Sequence, residues 1–156
     1  MAGAFEATPA VGGVRLALSG ESAEALAEIF RMLSEKIIGG DPRLRRRMFP
    51  VAYDRQTWAN DFWHDHGESM RNKVCDALDR VFGNWPGEGP VLLGLDAVDD
   101  WCLALTHAQL LYTGRTGRRA GNLDERARAG DQAAANVLWL RHAQTELLGA
   151  AVPGLR

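Results

Sequence analysis

Residues 55–85 read RQTWANDFWHDHGESMRNKVCDALDRVFGNW. The stretch has no proline and only two glycines, Gly67 and Gly83. Large apolar residues recur at Trp58, Phe62, Met70, Val74, Leu78, Val81 and Trp85. The steps are mostly three, four or a multiple, so these side chains share one helical stripe. The spacing predicts a long amphipathic helix around which the other helices pack. Asp54 is its expected cap, and Gly67 is expected to weaken or kink it, since an interior glycine costs about 1 kcal/mol against alanine. The most distinctive decapeptide precedes it directly: Arg45-Arg46-Arg47-Met48-Phe49-Pro50-Val51-Ala52-Tyr53-Asp54.

Working outward, Val14, Leu16 and Leu18 alternate with Arg15 and Ala17, the pattern of a half-buried strand. Phe5 to Thr8 is its hairpin partner, with Gly12-Gly13 in the turn. Ser19 or Ser22 caps a first helix over 21–38, with Leu26, Ile29, Phe30, Leu33 and Ile37 on one face. Gly39-Gly40 ends it. Asp41-Pro42 opens a short helical turn through Met48. Past the long helix, Gly83 to Pro90 form a connection. Val91, Leu92, Leu93 and Leu95 form another strand-like run, expected to pair with 14–18. A third helix is expected over 97–113, with Val98, Trp101, Cys102, Leu105, Ala108 and Leu111 inward. A fourth is expected over 131–150, with Ala134, Val137, Leu138, Leu140, Leu147 and Leu148. Residues 114–130 read as loop or short irregular helix. The fold class is therefore mainly α: a four-helix bundle-like single domain, 1–156, with a short N-terminal β-hairpin.

A chain of 156 residues fits one domain with a sizeable core. No apolar run approaches the ~20 residues of a membrane span. The start, Met1-Ala2-Gly3-Ala4-Phe5-Glu6, lacks the basic and apolar regions of a signal peptide, so a cytoplasmic setting is expected. The formal net charge of −2 creates no global field toward nucleic acid or acidic membranes. The two cysteines, Cys75 and Cys102, make no CxxC or zinc pattern and are expected to be reduced.

Few residue groups suggest chemistry. His64 and Glu68 are four apart on one helix face and could hold zinc, but a closed site needs four ligands and His66 points elsewhere. Asp96, Asp99, Asp100 and Glu88 suit helix capping better than paired-carboxylate catalysis. No GxSxG, P-loop or GxGxxG is present. Gly114-Arg115-Thr116-Gly117 is a basic turn that could hold an anion. These observations imply a protein that is not an enzyme and carries no cofactor or metal. The basic clusters, Arg43–Arg47 with Arg45, Arg46 and Arg47 at its centre, and Arg115–Arg128 with Arg115, Arg118 and Arg119, are candidate partner or anion-binding surface. Direct DNA binding is an alternative, disfavoured because no basic recognition helix is legible. Five tryptophans (Trp58, Trp63, Trp85, Trp101 and Trp139) exceed what one small core usually uses. Trp63 lies off the main stripe and is a candidate partner contact.

Four blocks resemble the actinobacterial domain of unknown function 2017 family. They are Val14-Arg15-Leu16-Ala17-Leu18; Arg47-Met48-Phe49-Pro50-Val51-Ala52-Tyr53 with Asp61-Phe62; Trp101-Cys102-Leu103-Ala104-Leu105 with Gly114-Arg115; and Trp139-Leu140 with Gln144 and Leu147. The resemblance implies a helical fold, a cytoplasmic setting and no established catalysis. It also implies a regulatory role, through oxidation sensing by a disulfide and control of transcription together with a sigma factor. The chain departs from a close cysteine pair, having only Cys75 and Cys102, and carries Trp63 where the family has arginine. The expected function is a non-enzymatic regulator acting by protein–protein contacts, with a stress- or redox-responsive role in transcription as its specific form. The expected partner belongs to the transcription or proteolysis machinery. A redox switch on Cys75 and Cys102, a direct DNA-binding regulator and a small metal-dependent enzyme using His64 and Glu68 are the alternatives. A homodimer is the preferred assembly, because strand edges and tryptophans need covering.

Overall fold

The structure, a computed structural model, describes residues 4–48, 56–85, 90–116 and 122–152, with the side chains of 56–60, 62, 63 and 114–116 outside the description. The element order is β1 (Phe5–Ala10), β2 (Gly13–Leu18), α1 (Gly20–Ile38), α2 (Pro42–Met48), α3 (Gln56–Gly83), β3 (Val91–Gly94), α4 (Leu95–Thr116), α5 (Leu123–Arg128) and α6 (Gln132–Ala151). The chain is mainly helical with an N-terminal hairpin, as expected. The described residues hold six helices rather than four principal ones.

The hairpin is antiparallel, with Phe5 opposite Leu18 and Ala10 opposite Gly13. The expected long-range pairing is present too: β2 lies antiparallel to β3, with Val14 opposite Leu93 and Leu16 opposite Val91. The strand order is β1-β2-β3. Period-two alternation buries Phe5, Ala7, Val14, Leu16 and Leu93 against the helices and leaves Glu6, Thr8, Arg15 and Leu92 outside.

The helix at the centre is α4, not α3. Among the described residues α4 packs most extensively on α6, then on α3, and also touches α1, α2, β2 and β3. Its buried residues are Val98, Trp101, Ala104, Leu105, Ala108, Leu111 and Tyr112. Four small residues of these two helices, Ala104 and Ala108 of α4 and Ala134 and Ala143 of α6, are buried. A polar seam runs beside them. The Thr106 hydroxyl donates to the Cys102 carbonyl (2.8 Å), Gln144 Nε2 to Thr106 Oγ1 (2.7 Å) and Gln109 Nε2 to Gln144 Oε1 (2.9 Å).

The inner half of α3 buries Val74, Ala77, Leu78 and Val81. Its outer half is solvated at Asp61, His64, Asp65, His66 and Glu68, with Gly67 buried between them. The helix runs unbroken through Gly67, so the expected weak point does not end it. Arg80 clamps α3 to α4 with two parallel bonds to Asp100, at 2.8 and 2.9 Å. Trp85, Trp101 and Trp139 all belong to the core or pack against it, so these three are not spare; the side chains of Trp58 and Trp63 lie outside the described residues.

One joint occurs twice. At the end of α1, Gly40 takes φ +71°. Its N–H bonds to the Ile37 carbonyl, and the Asp41 N–H bonds to that of Lys36. At the end of α5, Gly130 takes φ +94°, with the same pair of bonds from Gly130 to Ala127 and from Asp131 to Arg126. Each is a Schellman ending that needs a residue tolerant of positive φ. The next residue is an aspartate that caps the following helix: Asp41 accepts from the N–H of Arg43 and Leu44, and Asp131 from that of Ala134. The cation five residues earlier closes the joint, Lys36 on Asp41 at 3.5 Å and Arg126 on Asp131 at 2.7 Å. Backbone donors, foremost those of Leu44 and Ala134, hold both carboxyls below the ordinary aspartate value. A folded pKa below the unfolded one gives stability that is present above the unfolded value, about 3.9, and lost as pH falls through the folded value. Asp131→Asn, which keeps a cap but loses the charge, is expected to flatten this acid-side loss. Asp131→Ala is expected to lower Tm by a few degrees at pH 7. Thermal melts between pH 2 and 7 check both.

Among the described residues no helix is long and apolar enough to cross a membrane.

Candidate functional site

The seven residues of α2, Pro42-Arg43-Leu44-Arg45-Arg46-Arg47-Met48, place two apolar side chains at helical spacing and four arginines around them. Leu44 and Met48 are buried and pin the helix down. Arg43, Arg45 and Arg46 are exposed, and Arg47 is half-buried. Arg47 reaches α4, where Nη1 donates to the Leu110 carbonyl at 3.1 Å. That bond fixes one edge of a guanidinium that carries five N–H donors in all.

Beside α2 lies a cleft of about 190 Å3, walled by α1, α2 and α4. Lys36, Arg43 and Arg47 bring positive charge to it, and Asp41 brings the one carboxylate among its described lining residues. Met32, Leu44 and Leu111 give it an apolar lining, with Tyr112 beside them. A smaller hollow of about 80 Å3 borders the same helix and adds Arg45 and Arg71. The arginine run is legible in the sequence. Lys36, Asp41, Arg71 and Tyr112 are not, because only the turn at Gly39-Gly40, the packing of α2 on α4 and that of α3 on α1 bring them to it.

The other candidate residues lie apart. Cys75 on α3 and Cys102 on α4 are half-buried free thiols. Burial pushes both thiols up, and neighbouring carboxylates (Asp79 for Cys75, Asp99 for Cys102) push the same way. That is the reverse of the lowered pKa that makes a thiol reactive. His64 and Glu68 are exposed on α3, and no group of three or more metal-capable side chains gathers among the described residues. Asp96 stands in the first turn of α4, and Asp100 is engaged by Arg80. The expected turn at Gly114-Arg115-Thr116-Gly117 is helical through Thr116. Arg118, Arg119 and Glu88, like the Phe49-Pro50-Val51-Ala52-Tyr53 block, lie outside the described residues. So do the side chains of Trp63 and Arg115.

No curated protein and no solved structure matches the chain. One family model does, over residues 6–151, spanning every element from the hairpin to α6. The chain belongs to the DUF2017 family, a domain of unknown function.

Proposed function

We propose that this protein is a non-enzymatic regulator that works by binding another protein, an extended segment of which adds to the outer edge of β3. The observation that carries this reading is the contrast between the two edges of the sheet. β1 packs against α6 and carries Glu6 and Pro9, and charge and proline are usual defences of an edge strand. β3 reads Val91-Leu92-Leu93-Gly94, with neither charge nor proline, and brevity is its protection. Leu92 within it and Leu95 just after it are 64% and 59% exposed. Strand addition uses such an edge: main-chain bonds supply affinity and alternate side chains supply specificity.

In its specific form the proposal gives this regulator a partner in the transcription or proteolysis machinery and a stress-linked role. Redox control through Cys75 and Cys102 has less support, because both thiols are held toward the neutral form. The test is affinity capture from native cytosol with the wild-type chain and with Leu92→Glu as bait. Leu92 is exposed, so the variant is expected to fold normally. A subunit of the transcription or proteolysis machinery is expected on the wild-type bait and to fall at least about tenfold on the variant, as for loss of a central apolar contact. Equal recovery by both baits, or recovery of no such subunit, would overturn the reading.

A further inference from the structure

We infer that the cleft between α1, α2 and α4 binds a small oxyanion of the phosphate class, either free phosphate or a phosphate monoester. The site is on different elements from the β3 edge, so neither proposal depends on the other.

The argument begins with charge. The Asp41 carboxylate is already committed: Oδ1 accepts from the N–H of Arg43 and Leu44, and Oδ2 faces Lys36. The guanidinium groups of Arg43 and Arg47 form no ion pair among the described residues. Two cations therefore face the cleft without a described carboxylate of their own, and Lys36 stands beside them. The whole chain carries −2, so this concentration of positive charge is local and not a property of the surface at large.

Geometry adds to charge. Arg47 is held in place by the Leu110 carbonyl, so a ligand need not freeze that long side chain itself. The planar fork of arginine fits phosphate oxygens two at a time. The apolar lining of Met32, Leu44 and Leu111 lowers the local dielectric and strengthens each charge-assisted bond. It also offers contact to a short organic group carried by the ester. Size sets the limit. About 190 Å3 is below the ~300–1,000 Å3 of pockets that take drug-sized ligands. A phosphate with a few carbon atoms fits that space, whereas a dinucleotide does not.

The experiment is a 1H–15N NMR titration of the intact chain with inorganic phosphate, repeated with glycerol 2-phosphate. Ionic strength is matched throughout with sodium chloride. Saturable shifts are expected at amides of α2 and near Lys36 and Tyr112. Tighter binding of the ester would identify the monoester, and equal or tighter binding of inorganic phosphate the free ion. Arg43→Gln is expected to weaken binding about tenfold, the loss of one charge-assisted hydrogen bond, and Arg43→Lys is expected to recover most of it. Arg141→Gln, on the exposed face of α6, is expected to change nothing. Arg43 is exposed, and an unchanged spectrum away from α2 confirms that its variants are folded. The proposal is overturned by shifts that do not saturate, by shifts that chloride alone reproduces, or by an Arg43→Gln affinity equal to wild type. An Arg141→Gln loss as large as that of Arg43→Gln would overturn it too, since binding would then be diffuse.

Discussion

Gly13→Ala is expected to destabilise the protein by about 3 kcal/mol, near the upper end for overpacking a close contact. Gly13 opens β2 and stands opposite Gly94 of β3. A Cβ placed on it would overlap the Leu93 carbonyl oxygen. It would also stand 2.9 Å from the Leu93 carbonyl carbon and 3.1 Å from the Gly94 Cα. These are backbone atoms, so no rotamer change makes room; the strand itself must move. Moving β3 is costly because Leu93 and Val14, paired across the strands, are both fully packed in the core. A shift large enough to seat the added methyl group opens space beneath them.

Gly20→Ala is the matched control. It swaps the same atoms at the first residue of α1, where an added Cβ meets nothing within 4 Å. That change is expected to be neutral or to stabilise by about 0.5 kcal/mol, through the unfolded chain and helix propensity. Urea unfolding of the two variants measures the difference. A Gly13→Ala cost below about 1 kcal/mol would mean that β3 does not approach β2 as closely as described. The same variant bears on function: a displaced β3 carries Leu92 and Leu95 with it, so partner capture is expected to fall along with stability.

The sheet is largely readable from the chain alone, and the reason is physical. Alternation at Val14, Leu16 and Leu18 names a strand and its buried face together, because the side-chain period is two. Helix α1 is readable for a similar reason: its buried residues from Leu26 to Ile37 follow the predicted stripe. What the pattern does not disclose is which helix occupies the middle. Periodicity reports that a face is apolar, not what it meets. The aromatic stripe of α3 draws the reading toward that helix, yet the side chains described there at Asp61, His64, Asp65, His66 and Glu68 are exposed. The central helix, α4, buries Ala104 and Ala108 along with its large residues, and alanines weigh little on any hydrophobic count. The candidate site divides in the same way. A run of four arginines within seven residues is visible in one dimension. The commitment of Asp41 to capping, and the anchoring of Arg47 on a carbonyl 63 residues away, exist only after folding. Gln144, which in the sequence is only part of a family block, is a link in the α4–α6 polar seam.

Trp101→Ala is expected to cost about 3–5 kcal/mol, whereas Trp101→Phe is expected to cost about 1 kcal/mol or less. Trp101 is 1% exposed and sits in an aromatic cluster that ties three elements together. Its ring stacks on Trp85, just past the end of α3, with centroids 5.1 Å apart and planes at 23°. It meets the edge of Phe30 from α1 at 5.9 Å. Phe30 also touches Phe82 and Trp85 edge-on, at 6.4 and 6.2 Å. Truncation to alanine removes the central ring, leaves a cavity and loses two aromatic contacts. Phenylalanine keeps a ring in both contacts but gives up indole area, which alone would cost roughly 1–2 kcal/mol. Against that loss stands a specific gain. The indole Nε1 of Trp101 is buried without a hydrogen-bond partner among the described residues, and an unsatisfied buried donor costs about 1–3 kcal/mol. Phenylalanine has no such donor, so the two effects oppose and nearly cancel. Urea unfolding should therefore separate the two variants by at least about 2 kcal/mol, and both should lose the near-ultraviolet circular dichroism of the Trp85–Trp101 stack. If Trp101→Phe is as costly as Trp101→Ala, the indole N–H is satisfied after all, and the cluster is held by that bond and not by ring packing alone.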